Sequence, residues 1–94
     1  MAIKTWACDL SRELFERKRN GIVPSSVARR ARMKLLLIDA AAEIAFLRIP
    51  PGNRLEKLKG DRAGQWSIRI NDQYRICFVF RAGDAYKVQI VDYH

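Results

Sequence analysis

The hydrophobic period of this chain changes once along its length. Before the segment Ile49-Pro50-Pro51-Gly52-Asn53, apolar residues recur at three- and four-residue spacing; after it they alternate with polar ones. Two prolines and a glycine stop regular structure at that break. Residues 2–7 can form a short first strand. Asp9 or Ser11 then caps a helix running to about Lys18, with Leu10, Leu14 and Phe15 on one side. Arg17, Lys18 and Arg19 fall in its last turn, where cations complement exposed carbonyls, and Asn20-Gly21 closes it. Pro24-Ser25-Ser26 opens a longer second helix, expected to reach about Leu47. Val27, Ala31, Leu35, Ile38, Ala42 and Phe46 lie on its core side.

The second half reads as an antiparallel meander with strands at 65–70, 74–81 and 85–93. Trp66, Ile68 and Ile70 form the apolar set of the first strand. Tyr74, Ile76, Phe78 and Phe80 form that of the second, and Tyr86, Val88 and Ile90 that of the third. The expected fold class is α+β, two N-terminal helices packed on a small, mainly antiparallel sheet, and residues 1–94 read as one domain. Register follows from parity. Both apolar sets share a face only if the first hairpin has an odd loop, Asn71-Asp72-Gln73, which sets Arg69 opposite Arg75. The same parity makes Ala82-Gly83-Asp84 the next loop, Val91 the partner of Arg75, and Tyr93 its diagonal neighbour.

Two arginines directly opposite each other repel, so sheet stability does not select them. An anion between them, a phosphate held by forked guanidinium donors, would account for the pair. The alternative is that each arginine bends to a local carboxylate or to solvent.

Charge sharpens this picture. Eighteen Lys and Arg against ten Asp and Glu leave a net charge of +8, distributed over the folded body rather than in a tail. Such a surface suits nucleic acid or an acidic protein partner. Arg29, Arg30, Arg32 and Lys34 sit in the first turns of the second helix, against its dipole, so helix stability does not explain them. They form either a solvated face or a contact surface. No apolar stretch is long enough to span a membrane, no secretory signal is apparent, and Cys8 and Cys77 are far apart and match no metal pattern. A cytoplasmic protein with reduced thiols and no membrane association is expected.

The residues able to carry chemistry are few. His94 is the single histidine and follows Asp92 and Tyr93. Lys59, Arg69, Arg75, Tyr93 and His94 together offer charge stabilisers and proton carriers for a five-coordinate phosphate, with no metal cluster and no cofactor motif. A P-loop, a GxGxxG loop, a zinc site and a Ser-His-Asp triad all lack their required residues. Glu13 and Glu16 are ordinary helix-surface partners for nearby cations.

The run Leu58-Lys59-Gly60-Asp61-Arg62-Ala63-Gly64-Gln65-Trp66-Ser67-Ile68-Arg69, then Tyr74-Arg75-Ile76, then Val91-Asp92-Tyr93-His94, resembles the HigB toxins of the RelE/ParE superfamily. Pro50-Pro51-Gly52-Asn53-Arg54-Leu55-Glu56 is similar to a common subgroup of them. The resemblance implies a microbial-RNase-like fold and a toxin that cuts mRNA in the ribosomal A site. The cut would proceed by attack of the ribose 2′-hydroxyl on the adjacent phosphate, a nucleophile only RNA supplies. It implies that Lys59 and Arg75 stabilise the phosphate and that Asp92, Tyr93 and His94 position or protonate groups there. Lys57, Arg62, Arg69, Arg29 and Arg30 would then contact RNA or ribosome. One departure is Glu56, which stands where the family pattern carries a histidine; a carboxylate there is either a general base or an idle surface residue. The resemblance further implies a helix-turn-helix antitoxin whose complex with the toxin binds operator DNA. Two other readings compete: a nuclease-dead member acting on another target, as the gyrase-inhibiting branch does, and a nucleic-acid-binding module without chemistry.

Overall fold

In the computed structural model, which describes residues 3–18 and 20–92, helices α1 (Asp9–Phe15) and α2 (Ser25–Ala40) precede a sheet of four strands. These are β1 (Glu56–Lys57), β2 (Trp66–Arg69), β3 (Tyr74–Arg81) and β4 (Asp84–Asp92), antiparallel in the order β1-β2-β3-β4. The α+β expectation holds. Both helices pack on one face, where Leu35, Ile38, Ile68, Ile76, Phe78 and Val88 are almost completely buried. Helix α1 is shorter than expected and ends before Asn20-Gly21. Arg17, with φ of 68°, takes the left-handed position, and the amides of Arg17 and Lys18 return to the carbonyls of Leu14 and Glu13.

Helix α2 stops at Ala40, about two turns short of the predicted Leu47. Ala41 turns to extended backbone, and a 3₁₀ segment, Ile44–Arg48, follows. Tertiary packing overrides the helix preference of the alanines here. The turn buries Leu47 and leaves Phe46, expected inside, 57% exposed. It also brings the Ala42 carbonyl against the β3–β4 hairpin tip, where a Cβ on Gly83 would lie 3.1 Å from it. Leu10, expected on the packed side of α1, is also exposed.

The β2–β3 register matches the parity argument: Ile68 pairs Ile76 and Arg69 pairs Arg75. The Asn71 side chain closes the loop by accepting the amides of Gln73 and Tyr74 at 2.9 and 2.8 Å. The second hairpin differs from expectation. Its loop is the two residues Ala82 and Gly83, both at positive φ, as a tight turn matching strand twist requires. A bulge then restores parity: Cys77 pairs Gln89 and Val79 pairs Tyr86, so Phe78 faces both Lys87 and Val88. Lys87 absorbs the extra residue at φ of 53°. Val91 still pairs Arg75, but Tyr86 moves to the face opposite the helices, where the Arg81 guanidinium lies 5.1 Å from its ring centre. Ala85 takes the core position instead.

The N-terminal segment runs parallel to β4 and makes single bridges at Ile3–Ala85 and Trp6–Val88 rather than a full strand. It covers the open edge of the sheet. Farther along that edge the buried Ser11 hydroxyl of α1 accepts the Ile90 amide at 3.0 Å. Removing that acceptor leaves a buried N–H unpaired, which costs about 1–3 kcal/mol. Ser11→Ala is therefore expected to lower the unfolding free energy by that amount, read as a lower urea midpoint at an unchanged denaturant slope. An unchanged midpoint would show that water replaces the hydroxyl.

Candidate active site on the open face of the sheet

Strand alternation places Arg69, Arg75, Ser67, Cys77, Gln89 and Val91 on the face away from the helices. Two rows cross the strands. One runs Glu56, Ser67, Cys77, Gln89 through successive pairings; the neighbouring row is Arg69, Arg75, Val91. The two-residue strand β1, absent from the sequence reading, is what brings Glu56 into line.

Arg75 is held at several points. Its Nε donates to Ser67 Oγ at 2.8 Å, and one Nη donates to the Arg54 carbonyl at 2.7 Å. Ser67 is fully buried, so that anchor is dry. Arg54 presents its carbonyl because its backbone is left-handed, at φ of 45°, directly after the Pro51–Asn53 turn. Asn53 fixes this turn. It is fully buried, donates to the carbonyls of Leu47 and Ile49, and accepts from the Lys34 ammonium. Arg69 pairs with Asp72 of its own loop, the local-carboxylate alternative of the sequence reading. Arg54, Arg69, Asn71, Asp72 and Arg75 enclose an open depression of about 310 Å³. Three guanidinium groups around one small polar hollow make it suited to an anion.

A second depression, about 480 Å³, lies beside β1 and the turn that follows; Glu56, Lys59, Asp61 and Arg62 line it. Arg62 is steered by a bond to Gln65 Oε1 at 3.2 Å. Cys77 lies between the two groups. Burial pushes its thiol above the usual range, Arg62 and Arg75 pull against that shift, and Glu56 adds to it.

Not every expected residue joins this cluster. Lys57 borders the second depression, but its ammonium turns to the other face and overlies the Trp66 ring at 5.7 Å. Asp92 is exposed opposite Tyr74, also on the helix side, and accepts from Gln73 at 3.2 Å. Arg29 and Arg30 line a separate groove along α2. Tyr93 and His94 lie outside the described residues. No group of three His, Cys, Asp or Glu side chains converges among the described residues. Sequence reasoning missed Ser67, Asn53 and Arg54. Ser67 was legible as a small polar neighbour of Arg75 on the same face; the bonds of Asn53 and Arg54 depend on contacts that no local pattern carries.

Two helices behind a four-stranded antiparallel sheet, whose open face gathers guanidinium groups around a polar hollow, define an α+β protein with a face suited to anions. The chain belongs to the HigB family: the family model described as RelE-like toxin of type II toxin-antitoxin system HigB matches residues 5–94. It is 47% identical over 68 residues to Toxin HigB-1 of Vibrio cholerae serotype O1, covering 72% of each chain. It is 42% identical over 85 residues to Endoribonuclease HigB of Proteus vulgaris, covering 86% of this chain and 87% of that one. An uncharacterized protein of Haemophilus influenzae is 39% identical over 59 residues, covering 63% of this chain and 56% of that one.

The two thiols provide a direct check on the packing of this face. Cys77 is buried with a raised pKa, whereas Cys8 is partly exposed. With iodoacetamide at pH 8, mass spectrometry should find Cys8 modified quickly and Cys77 only after unfolding. Equal rates would mean that the floor of the site is open.

Proposed function

We propose that this chain is an endoribonuclease that cuts mRNA on the ribosome, as the toxin of a toxin–antitoxin pair. The observation that carries the reading is Arg75, anchored by Ser67 and the Arg54 carbonyl beside Arg69, in an open polar hollow that can admit a phosphate. A guanidinium fixed before substrate arrives stabilises charge as it develops on the phosphate and requires no reorganisation. The name of the Proteus relative, Endoribonuclease HigB, supports the endoribonuclease part of this reading.

In this scheme Glu56 takes the proton from the ribose 2′-hydroxyl. The oxygen attacks the adjacent phosphorus, the bond to the 5′-oxygen breaks, and the products are a 2′,3′-cyclic phosphate and a free 5′-hydroxyl. Arg75 and Lys59 stabilise the phosphate oxygens. His94 or Tyr93 returns a proton to the leaving oxygen, an assignment resting on residue chemistry alone. Arg69 shares the hollow with Arg75, and Arg62, in the neighbouring depression, holds a flanking phosphate. The hollows are shallow and open, so the chain has little surface with which to shape a single RNA strand. A second macromolecule must present the strand, which supports dependence on the ribosome. Operator DNA is then a ligand only of the complex with a helix-turn-helix antitoxin.

Primer extension on a reporter mRNA in a purified translation system tests this reading. Cuts are expected only when ribosomes are present, with cyclic-phosphate ends. Arg75→Lys, which keeps the charge and loses the fork, is expected to reduce cutting on the order of 10²–10³-fold. Intact RNA with folded protein would leave the nucleic-acid-binding reading, and DNA breaks would favour the gyrase-directed one.

Glu56 can be tested separately. Glu56→Gln should reduce the cleavage rate by about 10²–10⁴-fold, and Glu56→His should recover much of it, since either side chain can accept the proton. Full activity in Glu56→Gln would assign the base elsewhere.

A further inference from the structure

Helix α2 is apolar on two opposite sides. Ala31, Leu35 and Ile38 face the core and are fully buried. Met33 and Leu37 point the other way, at 56% and 37% exposed, with Leu36 beside them at 39%. They do not stand as isolated surface residues. With Ser26 and Pro50, Met33 and Leu37 floor a groove of about 560 Å³ between the helix and the proline turn. Ile49, 72% exposed, extends this apolar surface next to Pro50. Contiguous exposed apolar surface of this kind marks an interaction site.

The rim of the groove is cationic: Arg29, Arg30 and Lys34. None of the three has an ion-pair partner among the described residues. Burial lowers the Lys34 pKa, and Arg30 and Arg69 lower it further, so cations crowd this region without a compensating carboxylate. The first turn of α2 contains no acidic residue and no side-chain cap, and its cations oppose the helix dipole. The groove is therefore built for an occupant with an apolar stripe flanked by carboxylates. A phosphodiester backbone would use the rim and leave Met33 and Leu37 against water. An amphipathic acidic helix uses both rim and floor.

We infer that this groove is the docking site for the antitoxin, through an acidic amphipathic helix whose apolar stripe covers Met33, Leu37 and Pro50. Its carboxylates meet Arg29, Arg30 and Lys34. The assignment rests on membership of a toxin–antitoxin family and is independent of the nuclease reading. It moves Arg29 and Arg30 from RNA contacts to partner contacts, in a groove that shares no lining residue with the arginine hollow.

The test uses the full-length chain and the full-length antitoxin co-expressed with it, with binding measured by calorimetry or surface plasmon resonance. Met33→Glu/Leu37→Glu places like charge and polar groups in the groove and should weaken antitoxin binding on the order of 100-fold or more. Ribosome-dependent cutting should be unchanged, and circular dichroism and thermal unfolding should show an intact fold, since both residues are already exposed. Arg29→Glu/Arg30→Glu should slow association roughly tenfold at low salt and flatten its salt dependence. A photo-cross-linker replacing Met33 should capture the antitoxin even if the glutamate variant folds poorly. Unchanged affinity in the double glutamate variant, or a cross-link that never reaches the antitoxin, would overturn the assignment. Lost cutting with antitoxin affinity retained would make the groove a ribosome contact. Self-association of the chain alone, abolished by the same variant, would make it a surface for a second copy. The binding measurement decides the groove whether or not the chain cuts RNA.

Discussion

The pairing of β2 with β3 is the constraint on which the rest of the structure depends. With Ile68 opposite Ile76 and Arg69 opposite Arg75, one face of the sheet is apolar and the other carries guanidinium groups. A slip of one residue would turn Arg75 into the helix-covered core and expose Ile76, while Arg69 and Ile68 kept their faces. Burying unpaired charges costs far more than the sheet could return, so no alternative register competes. The loop Asn71-Asp72-Gln73 reinforces this choice locally, because the Asn71 carbonyl oxygen satisfies two loop amides. Asp72, in the same loop, offsets the charge of Arg69. One short turn therefore sets the register, supplies a counter-charge and brings two like charges together.

The cations on the open face come from different parts of the chain; Arg69 pairs with the Asp72 carboxylate, whereas Arg75 and Arg62 bond to neutral acceptors. Arg75 rests on a hydroxyl and a backbone carbonyl; Arg62 rests on an amide oxygen. Neutral acceptors fix geometry without cancelling charge, so these particular bonds orient the guanidinium groups and leave the approach of a phosphate favourable. The support reaches through the backbone from the helix layer. Lys34 on α2 bonds to Asn53, Asn53 holds the turn, and the left-handed Arg54 that follows offers its carbonyl to Arg75. The strained backbone at Arg54 is over-determined by these contacts, which is the condition under which a sparsely populated conformation persists.

The helical and alternating halves, the arginine pair and the three-residue loop were legible in the sequence because each follows from side-chain period or loop parity. Three features were not. The end of α2 depends on Leu47 entering the core, and alanines at 40–42 carry no stop signal. The second hairpin combines an even loop with a bulge at Lys87. The two changes of parity cancel before Val91, so a parity argument finds the right partner for Arg75 and the wrong face for Tyr86. Strand β1 has only two residues, too short for any periodicity, yet it is what aligns Glu56 with Ser67 and Cys77. The local rules fail where contacts distant in sequence decide, and two of those three places border the arginine face.

Helix α2 shows how a small chain separates two tasks. Three residues of its inner side anchor the core, and Lys34 reaches from its flank to the turn that supports Arg75. Its outer side carries cations where a helix dipole disfavours them, at a cost of about 0.3–1 kcal/mol each. An isolated toxin would be more stable without them, and also without Met33 and Leu37 in water. Features that lower the stability of the free protein persist when they contribute in a bound state, and an acidic helix in this groove relieves both penalties at once. Binding there would leave the arginine hollow uncovered. Neutralisation through this surface must then act by blocking the approach to a large target, not by plugging the site, which is a workable strategy only for an enzyme whose substrate is far larger than itself.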